Sequence, residues 1–181
     1  MTCYCKVRAA IKETKIDEAT VSDPIELTLN KAVPNFTAAC TQGTENGVFS
    51  LSEQRGSKVI LYFYPKDSTP GCTTQGQNFR DLHSEFLAAN TKIFGISRDS
   101  LKSHHNFKTK MAFPFELIAD TDEAICTLFD VMKLKNMYGK QVRGIERSTF
   151  VLDEEGVVRR AWRGVKVPGH VVEVLEFVQQ L

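Results

Sequence analysis

The chain has 181 residues, and its 23 Lys and Arg nearly balance its 22 Asp and Glu, which gives a net charge of +1 at pH 7. This length predicts one domain, and a composition of 42% hydrophobic and 25% charged residues excludes disordered, collagen-like and coiled-coil proteins. Without an excess of basic residues, nothing in the charge favours nucleic acid or an anionic membrane as a partner.

The first half of the chain predicts a β-α-β unit that follows an N-terminal extension. Residues 1–24 show no clear period and are expected to form a flexible extension, which leaves 25–181 as the domain. Continuous apolar runs are typical of buried strands, and apolar residues spaced three and four apart indicate a helix. The predicted elements are a short strand (48–51), a buried strand (58–64), a helix (73–90) and a second buried strand (93–96).

The second half continues the alternation of helices and strands. Ile125, Leu128, Phe129 and Met132 have the spacing of one helical face. The predicted elements are a helix (100–111), a strand (115–118), the helix that carries this face (125–132), an antiparallel hairpin (148–152 with 157–162) and a final helix (171–178). The sequence therefore predicts an α/β sandwich with a mixed central sheet flanked by helices.

Neither a membrane-spanning segment nor a framework of disulfide bonds is expected. The longest apolar run, residues 59–64, is far shorter than the roughly 20 residues of a spanning helix, and the first twenty residues lack the apolar stretch of a signal peptide. We therefore predict a cytoplasmic protein. Five cysteines, an odd number spread along the chain, do not suggest paired disulfides, so a functional cysteine would be a reactive one.

Cys72 is the main functional candidate, because it falls in the first turn of a predicted helix. Thr69 followed by Pro70 is typical of an N-cap and first helical residue, with the threonine oxygen accepting from amides of the next turn. In that turn, unpaired backbone N–H groups and the helix dipole favour a thiolate. A free cysteine is also often a small buried core residue, and placement alone does not separate the two interpretations.

Arg147 is the second candidate, because it opens a strand whose continuation is apolar. An arginine in such a place needs an anionic partner. It could pair with Glu146 or Asp153 at the surface. If it faces Cys72 instead, it would stabilise the thiolate and the negative charge that develops when the sulfur attacks.

These residues resemble the peroxiredoxins. The pattern Pro65-x-x-x-Thr69-x-x-Cys72 is similar to the peroxiredoxin active-site signature. Residues 63–74 (FYPKDSTPGCTT) and 144–150 (GIERSTF) resemble two motifs of the bacterioferritin comigratory protein, or peroxiredoxin Q, subgroup. The resemblance runs from residue 28 to residue 181 and implies a thioredoxin-like fold.

The resemblance implies a thiol peroxidase with an antioxidant function that needs no metal or organic cofactor. Cys72 would attack hydrogen peroxide or an organic hydroperoxide and become a sulfenic acid. Thr69 would hydrogen-bond the peroxide, Pro65 would shield the sulfur from water, and Arg147 would hold the thiolate and the transition state.

The chain departs from the subgroup at two positions. Many members carry a resolving cysteine five residues after the peroxidatic one, where this chain has Gln77, and Gln75 stands where a glutamate is expected beside the active-site arginine. We therefore favour a one-cysteine cycle with an external reductant, either thioredoxin or glutathione with glutaredoxin. The protein is expected to be a monomer or a weak homodimer.

Four other cysteines could serve as an internal resolving group. Cys126 is the best internal candidate, although its place on an apolar helical face is more typical of core packing. Cys40 is expected to be structural, and Cys3 and Cys5 lie on the extension, from which they could reach a site. A C-x-C pair alone does not supply the four ligands of a structural metal site.

The remaining polar candidates are expected to have no catalytic role. His104 and His105 are interpreted as partly exposed helix residues, since adjacent helical side chains point about 100° apart. His83 and His170 are expected at the surface or satisfied by internal hydrogen bonds.

Two other functions compete with the peroxidase. A thioredoxin-fold disulfide oxidoreductase normally carries C-x-x-C after the first buried strand, whereas only Cys72 occupies that turn here. A redox-sensing or holdase module would use Cys72 as a signal. Reaction of Cys72 with peroxide far faster than that of a free thiol would favour the enzyme.

Overall fold

The computed structural model of the protein describes residues 14–16, 29–137 and 140–181, with the backbone alone at 135–137 and 140. The strands are β1 (Lys15–Ile16), β2 (Phe36–Gln42), β3 (Glu45–Ser50), β4 (Lys58–Phe63), β5 (Thr91–Ser97), β6 (Glu116–Ala119), β7 (Met132–Met137), β8 (Lys140–Ile145), β9 (Ser148–Leu152) and β10 (Val158–Trp162). The helices are α1 (Pro70–Asp81), α2 (His83–Ala88), α3 (Leu101–Met111), α4 (Ala124–Leu128) and α5 (His170–Gln180).

A mixed sheet forms the centre of the domain. Strands β4, β5 and β6 run parallel side by side, as expected where helices connect successive strands. Strand β9 pairs antiparallel with β4, and β10 pairs antiparallel with β9. On the other side β2 pairs with β6 and carries β3 and β1. The predicted α/β sandwich with a mixed central sheet flanked by helices is confirmed.

Two hydrophobic cores lie on opposite faces of this sheet, because successive side chains of a strand point to opposite faces. The first core takes Val59, Leu61 and Phe63 from β4 and continues into α4. The second core takes Ile60 and Tyr62 from the same strand and continues into α1, α2, α3 and α5.

The structure differs from the predicted helices in two places. The helix predicted over 73–90 is interrupted at Leu82, which separates α1 from α2. The helix predicted to include Met132 ends at Leu128, and Asp130 follows with a left-handed φ of 49°. The helical spacing was misleading there because Phe129 reaches the first core from a turn. Met132 instead begins the hairpin of β7 and β8, which the sequence analysis did not predict.

The predicted N-terminal extension lies mostly outside the described residues, and so do Cys3 and Cys5. Within residues 14–16, Lys15 and Ile16 pair with Thr37 and Phe36 of β2. None of the helices in the described ranges combines the length and apolar character needed to cross a membrane.

Candidate active site

Cys72 lies in the first turn of α1, at the carboxyl end of the buried strand β4. Thr69 precedes the helix with extended backbone angles of φ −83° and ψ 150°, and Pro70 is the first helical residue. The first helical hydrogen bond runs from the Thr73 N–H to the Thr69 carbonyl at 2.9 Å. Cys72 is the third residue of α1, which places it at the amino end of the helix dipole, and it is 2% exposed, which keeps it away from bulk water.

Arg147 brings a positive charge to this sulfur. Its Nη2 donates to Cys72 Sγ at 3.2 Å, and its backbone carbonyl accepts from the Val165 N–H at 2.9 Å. The contact follows from the sheet, because Arg147 directly precedes β9 and Ser148 of β9 pairs with Phe63 at the end of β4. A Cβ at Gly71 would lie 3.4 Å from Nη2, so glycine leaves room for the guanidinium.

Arg147 makes no ion pair with a carboxylate among the residues that the structure describes. Asp153, one of the surface partners considered for it, pairs with Arg159 at 2.6 Å. The second nitrogen of Arg147, Nη1, donates to Gln75 Oε1 at 2.5 Å. Gln75 is fully buried one helical turn after Cys72, and its Nε2 has no hydrogen-bond partner within the described part of the chain. The charge of Arg147 is therefore directed at the sulfur and a neutral amide.

Thr69 and Pro65 lie on the loop between β4 and α1. The expectation that the Thr69 hydroxyl caps α1 is wrong, since its Oγ1 donates to the Lys66 carbonyl at 3.0 Å instead. This bond uses the hydroxyl hydrogen and leaves the oxygen lone pairs free to accept. Both Thr69 and Pro65 are partly exposed, and Thr69 lies three residues before Cys72 in the chain.

Comparison with known proteins gives the family. A model of the AhpC/TSA family matches residues 29–161. Peroxiredoxin Bcp of Xanthomonas campestris is 60% identical over 126 residues, which cover 70% of this chain and 79% of that protein. Peroxiredoxin Bcp of Bacillus subtilis is 44% identical over 140 residues, which cover 77% and 89%. The chain belongs to the peroxiredoxins.

Solved structures of peroxiredoxins have the same fold. Peroxiredoxin Q of Xanthomonas campestris superposes with a TM-score of 0.75 at 52% identity, and the match covers 80% of this chain and 89% of that one. The thioredoxin-like fold that the resemblance implied is thereby confirmed. As a peroxiredoxin, the protein is a thiol peroxidase.

The loop between β4 and α1 is anchored at Asp67, a residue that no sequence motif singled out. The Asp67 carboxylate accepts from Tyr64 Oη at 2.8 Å and from Ser103 Oγ at 2.7 Å. It also faces His104 Nδ1 at 2.9 Å, and its backbone N–H donates to Asp99 Oδ2 at 2.8 Å. Burial raises the pKa of Asp67, but His104 and the two hydroxyls outweigh burial, so the pKa lies below its ordinary value.

The expectation that His104 is a partly exposed helix residue is wrong. It is fully buried, while its neighbour His105 is partly exposed and contacts Asn46 Oδ1 at 2.9 Å. His104 and the buried Phe107 lie three residues apart on α3, so they share its inward face. That spacing is the signal in the sequence that could have identified the histidine as buried.

The cysteines within the described ranges are free, and two of them lie on the face of the sheet opposite to Cys72. Cys40 and Cys126 belong to the first core, whereas Cys72 belongs to the second. Cys126 is fully buried, and burial raises its pKa well above the ordinary range; burial also raises the pKa of Cys40 to about 12. Both thiols are therefore protonated at neutral pH and separated from Cys72 by the sheet.

Proposed function

We propose that this peroxiredoxin reduces hydrogen peroxide and organic hydroperoxides through a sulfenic acid at Cys72. The thiolate attacks the terminal peroxide oxygen, so an S–O bond forms as the O–O bond breaks, and the departing oxygen leaves as hydroxide or alkoxide and takes up a proton. The sulfur is oxidised by two electrons and the peroxide is reduced to water or an alcohol. The observation that carries this proposal is the 3.2 Å contact between Arg147 Nη2 and the sulfur at the amino end of α1.

The neighbouring residues are assigned complementary roles. Arg147 stabilises the thiolate and the charge that spreads over sulfur and oxygen in the transition state. Thr69, whose hydroxyl hydrogen is engaged by Lys66, accepts a hydrogen bond from the peroxide O–H and orients it for in-line attack. Pro65, beside Tyr64 at the end of β4, limits access of water to the sulfur.

Support for organic hydroperoxides as substrates comes from a relative. The structural study of the Xanthomonas campestris bacterioferritin comigratory protein, which is 51% identical over the matched region, concerns its alkyl peroxide reduction activity. The same chemistry operates on both substrate classes, because only the terminal oxygen is attacked. The hydrogen or organic group on the departing peroxide oxygen is not attacked, so it needs only space outside the partly exposed loop.

We further propose a one-cysteine cycle, in which an external thiol reduces the sulfenic acid. Gln77 occupies the position of the resolving cysteine in the same helix. An atypical cycle through Cys126 is disfavoured because that thiol is fully buried in the first core, on the other face of the sheet. Thioredoxin and glutathione with glutaredoxin remain equal candidates for the reductant. A cytoplasmic location and a monomer or weak homodimer stay predictions from the sequence.

The test is intact-mass analysis with peptide mapping after one equivalent of peroxide, preceded by stopped-flow measurement of the reaction. We expect fast oxidation, one added oxygen on the Cys72 peptide and no disulfide. Cys72→Ser should lose peroxide turnover, and the matched variants Cys40→Ser and Cys126→Ser should keep it. A disulfide joining Cys72 to another cysteine of the chain would overturn the one-cysteine cycle. Oxidation no faster than that of glutathione would overturn the role of Cys72.

A further inference from the structure

Asp67 anchors the loop that carries Pro65 and Thr69 to the rest of the domain. Lys66 and Ser68 on either side of it are exposed, and Ser68 has a left-handed φ of 58°, which is unfavourable for a residue with a side chain. Asp67 itself is 6% exposed and is held by its backbone N–H as well as its carboxylate. A loop with exposed neighbours and a strained residue keeps one shape only if such an anchor holds it.

The most deeply buried partner of this anchor is His104, and both nitrogens of its ring have a polar partner. Its Nδ1 lies 2.9 and 3.1 Å from the two carboxylate oxygens of Asp67, and its Nε2 lies 3.1 Å from the Ile118 carbonyl oxygen. The two ring nitrogens therefore connect the carboxylate of Asp67 to the backbone of β6, and the ring is fixed at both ends.

The surroundings keep the carboxylate of Asp67 ionised. Tyr64 and Ser103 both donate to it, one to each oxygen. Burial raises the pKa of Tyr64 well above its ordinary value, so this phenol remains a donor. With both oxygens occupied by hydroxyl donors and facing the imidazole ring, Asp67 and His104 form a buried, fully hydrogen-bonded pair.

We propose that the buried, hydrogen-bonded pair of His104 and Asp67 is a positioning element of the peroxidase site, which holds the loop so that Thr69 and Cys72 meet the peroxide in line. Asp67 precedes Thr69 by two residues and Cys72 by five. Release of the carboxylate from α3 would let Thr69 move relative to the sulfur, and small misplacements of reacting groups cost large factors in rate. This inference rests on the proposed role of Cys72.

The experiment compares two reactions of Cys72 in folded protein. Oxidation by hydrogen peroxide needs the oriented loop, whereas alkylation by iodoacetamide needs the thiolate and access to it. The variants are Asp67→Asn, His104→Asn and the double variant, with His105→Gln on the same helix as the matched control. Circular dichroism establishes that each variant is folded at the temperature of the assay.

The two single variants are expected to react with peroxide about tenfold to a hundredfold more slowly, while alkylation stays equal or becomes faster as the loop loosens. The double variant should be no slower than the slower single variant, since the two residues act through one interaction. His105→Gln should match the wild type in both reactions.

Two results would overturn the proposal. One is a peroxide rate in the folded variants within about twofold of wild type. The other is an equal fall in the rates of peroxide oxidation and of alkylation, which would show that the substitution affects the thiolate rather than the loop. If both single variants fail to fold, Tyr64→Phe decides, because it removes one donor to Asp67 without changing the ring. A peroxide rate unchanged in that variant refutes the proposal. Failure of the proposed function is separate, since the wild type itself would then react slowly.

Discussion

Removal of the guanidinium beside Cys72 is the most direct test of the site. Arg147→Ala deletes the positive charge that lies 3.2 Å from the sulfur. At an effective dielectric constant of about 20, two unit charges at that separation attract by about 5 kcal/mol. Desolvation and lost side-chain entropy offset part of this attraction, and a hydrogen bond to a charged group contributes about 1.5–3 kcal/mol net.

We take about 2–3 kcal/mol as the loss of transition-state stabilisation, which corresponds to a peroxide reaction about 30- to 160-fold slower. The neutral Gln75 cannot replace the missing charge. Arg147→Lys should fall between wild type and the alanine variant, because an ammonium lacks the fork that contacts the sulfur and Gln75 together.

The assay is stopped-flow measurement of Cys72 oxidation under excess hydrogen peroxide at pH 7. Arg143→Ala is the matched control, because Arg143 is an exposed arginine on the β7–β8 hairpin that pairs with Glu123, and it should react as fast as wild type. If Arg147→Ala stays within about threefold of wild type while folded, the electrostatic role of the guanidinium is refuted.

Two further predictions concern stability. Burial lowers the pKa of His170 to about 4; Glu173 opposes this shift and Arg147 adds to it. Between pH 4 and the ordinary value of 6.5, the unfolded chain therefore binds more protons at this histidine than the folded protein does. The free energy of unfolding should therefore rise with pH across that interval, and urea titrations should show a smaller rise for His170→Gln; equal rises would contradict the assignment. Gly76→Ala should lower the free energy of unfolding by about 1–2 kcal/mol, because the new Cβ would lie 2.4 Å from the buried Phe113 ring and the overpacking outweighs the gain in helix propensity. Phe113→Leu in the same chain should recover part of that loss, and a Gly76→Ala variant as stable as wild type would show that the ring moves freely.

The position of Cys72 was predictable because its determinants are local. A buried apolar run, Thr69 and Pro70 at a helix start, and a cysteine two residues later lie within fifteen residues, roughly the range over which capping and periodicity operate. The alternation of strands and helices was predictable for the same reason. Apolar spacing alone predicted that a helix includes Met132, but this helix ends at Leu128 and the turn after it produces the same spacing as a helix.

The partners of the site could not be predicted with the same certainty, because they come from distant parts of the chain. Sequence motifs made Arg147 a candidate, but Glu146 and Asp153 were alternative partners for it until the pairing of β4 with β9 placed it beside the sulfur. His104 was expected to be partly exposed; its spacing to Phe107 indicates a shared helical face, but only the packing of α3 decides that this face is fully buried.

The sequence by itself determined which thiol lies in the first turn of a helix and what chemistry that position favours. Tertiary structure alone decided which charge reaches that thiol, which histidine anchors its loop, and that Cys40 and Cys126 lie on the other face of the sheet. The physical reason is range. Capping and side-chain periodicity act between neighbours in the chain, whereas ion pairs and burial depend on strand order and on the face to which each residue points.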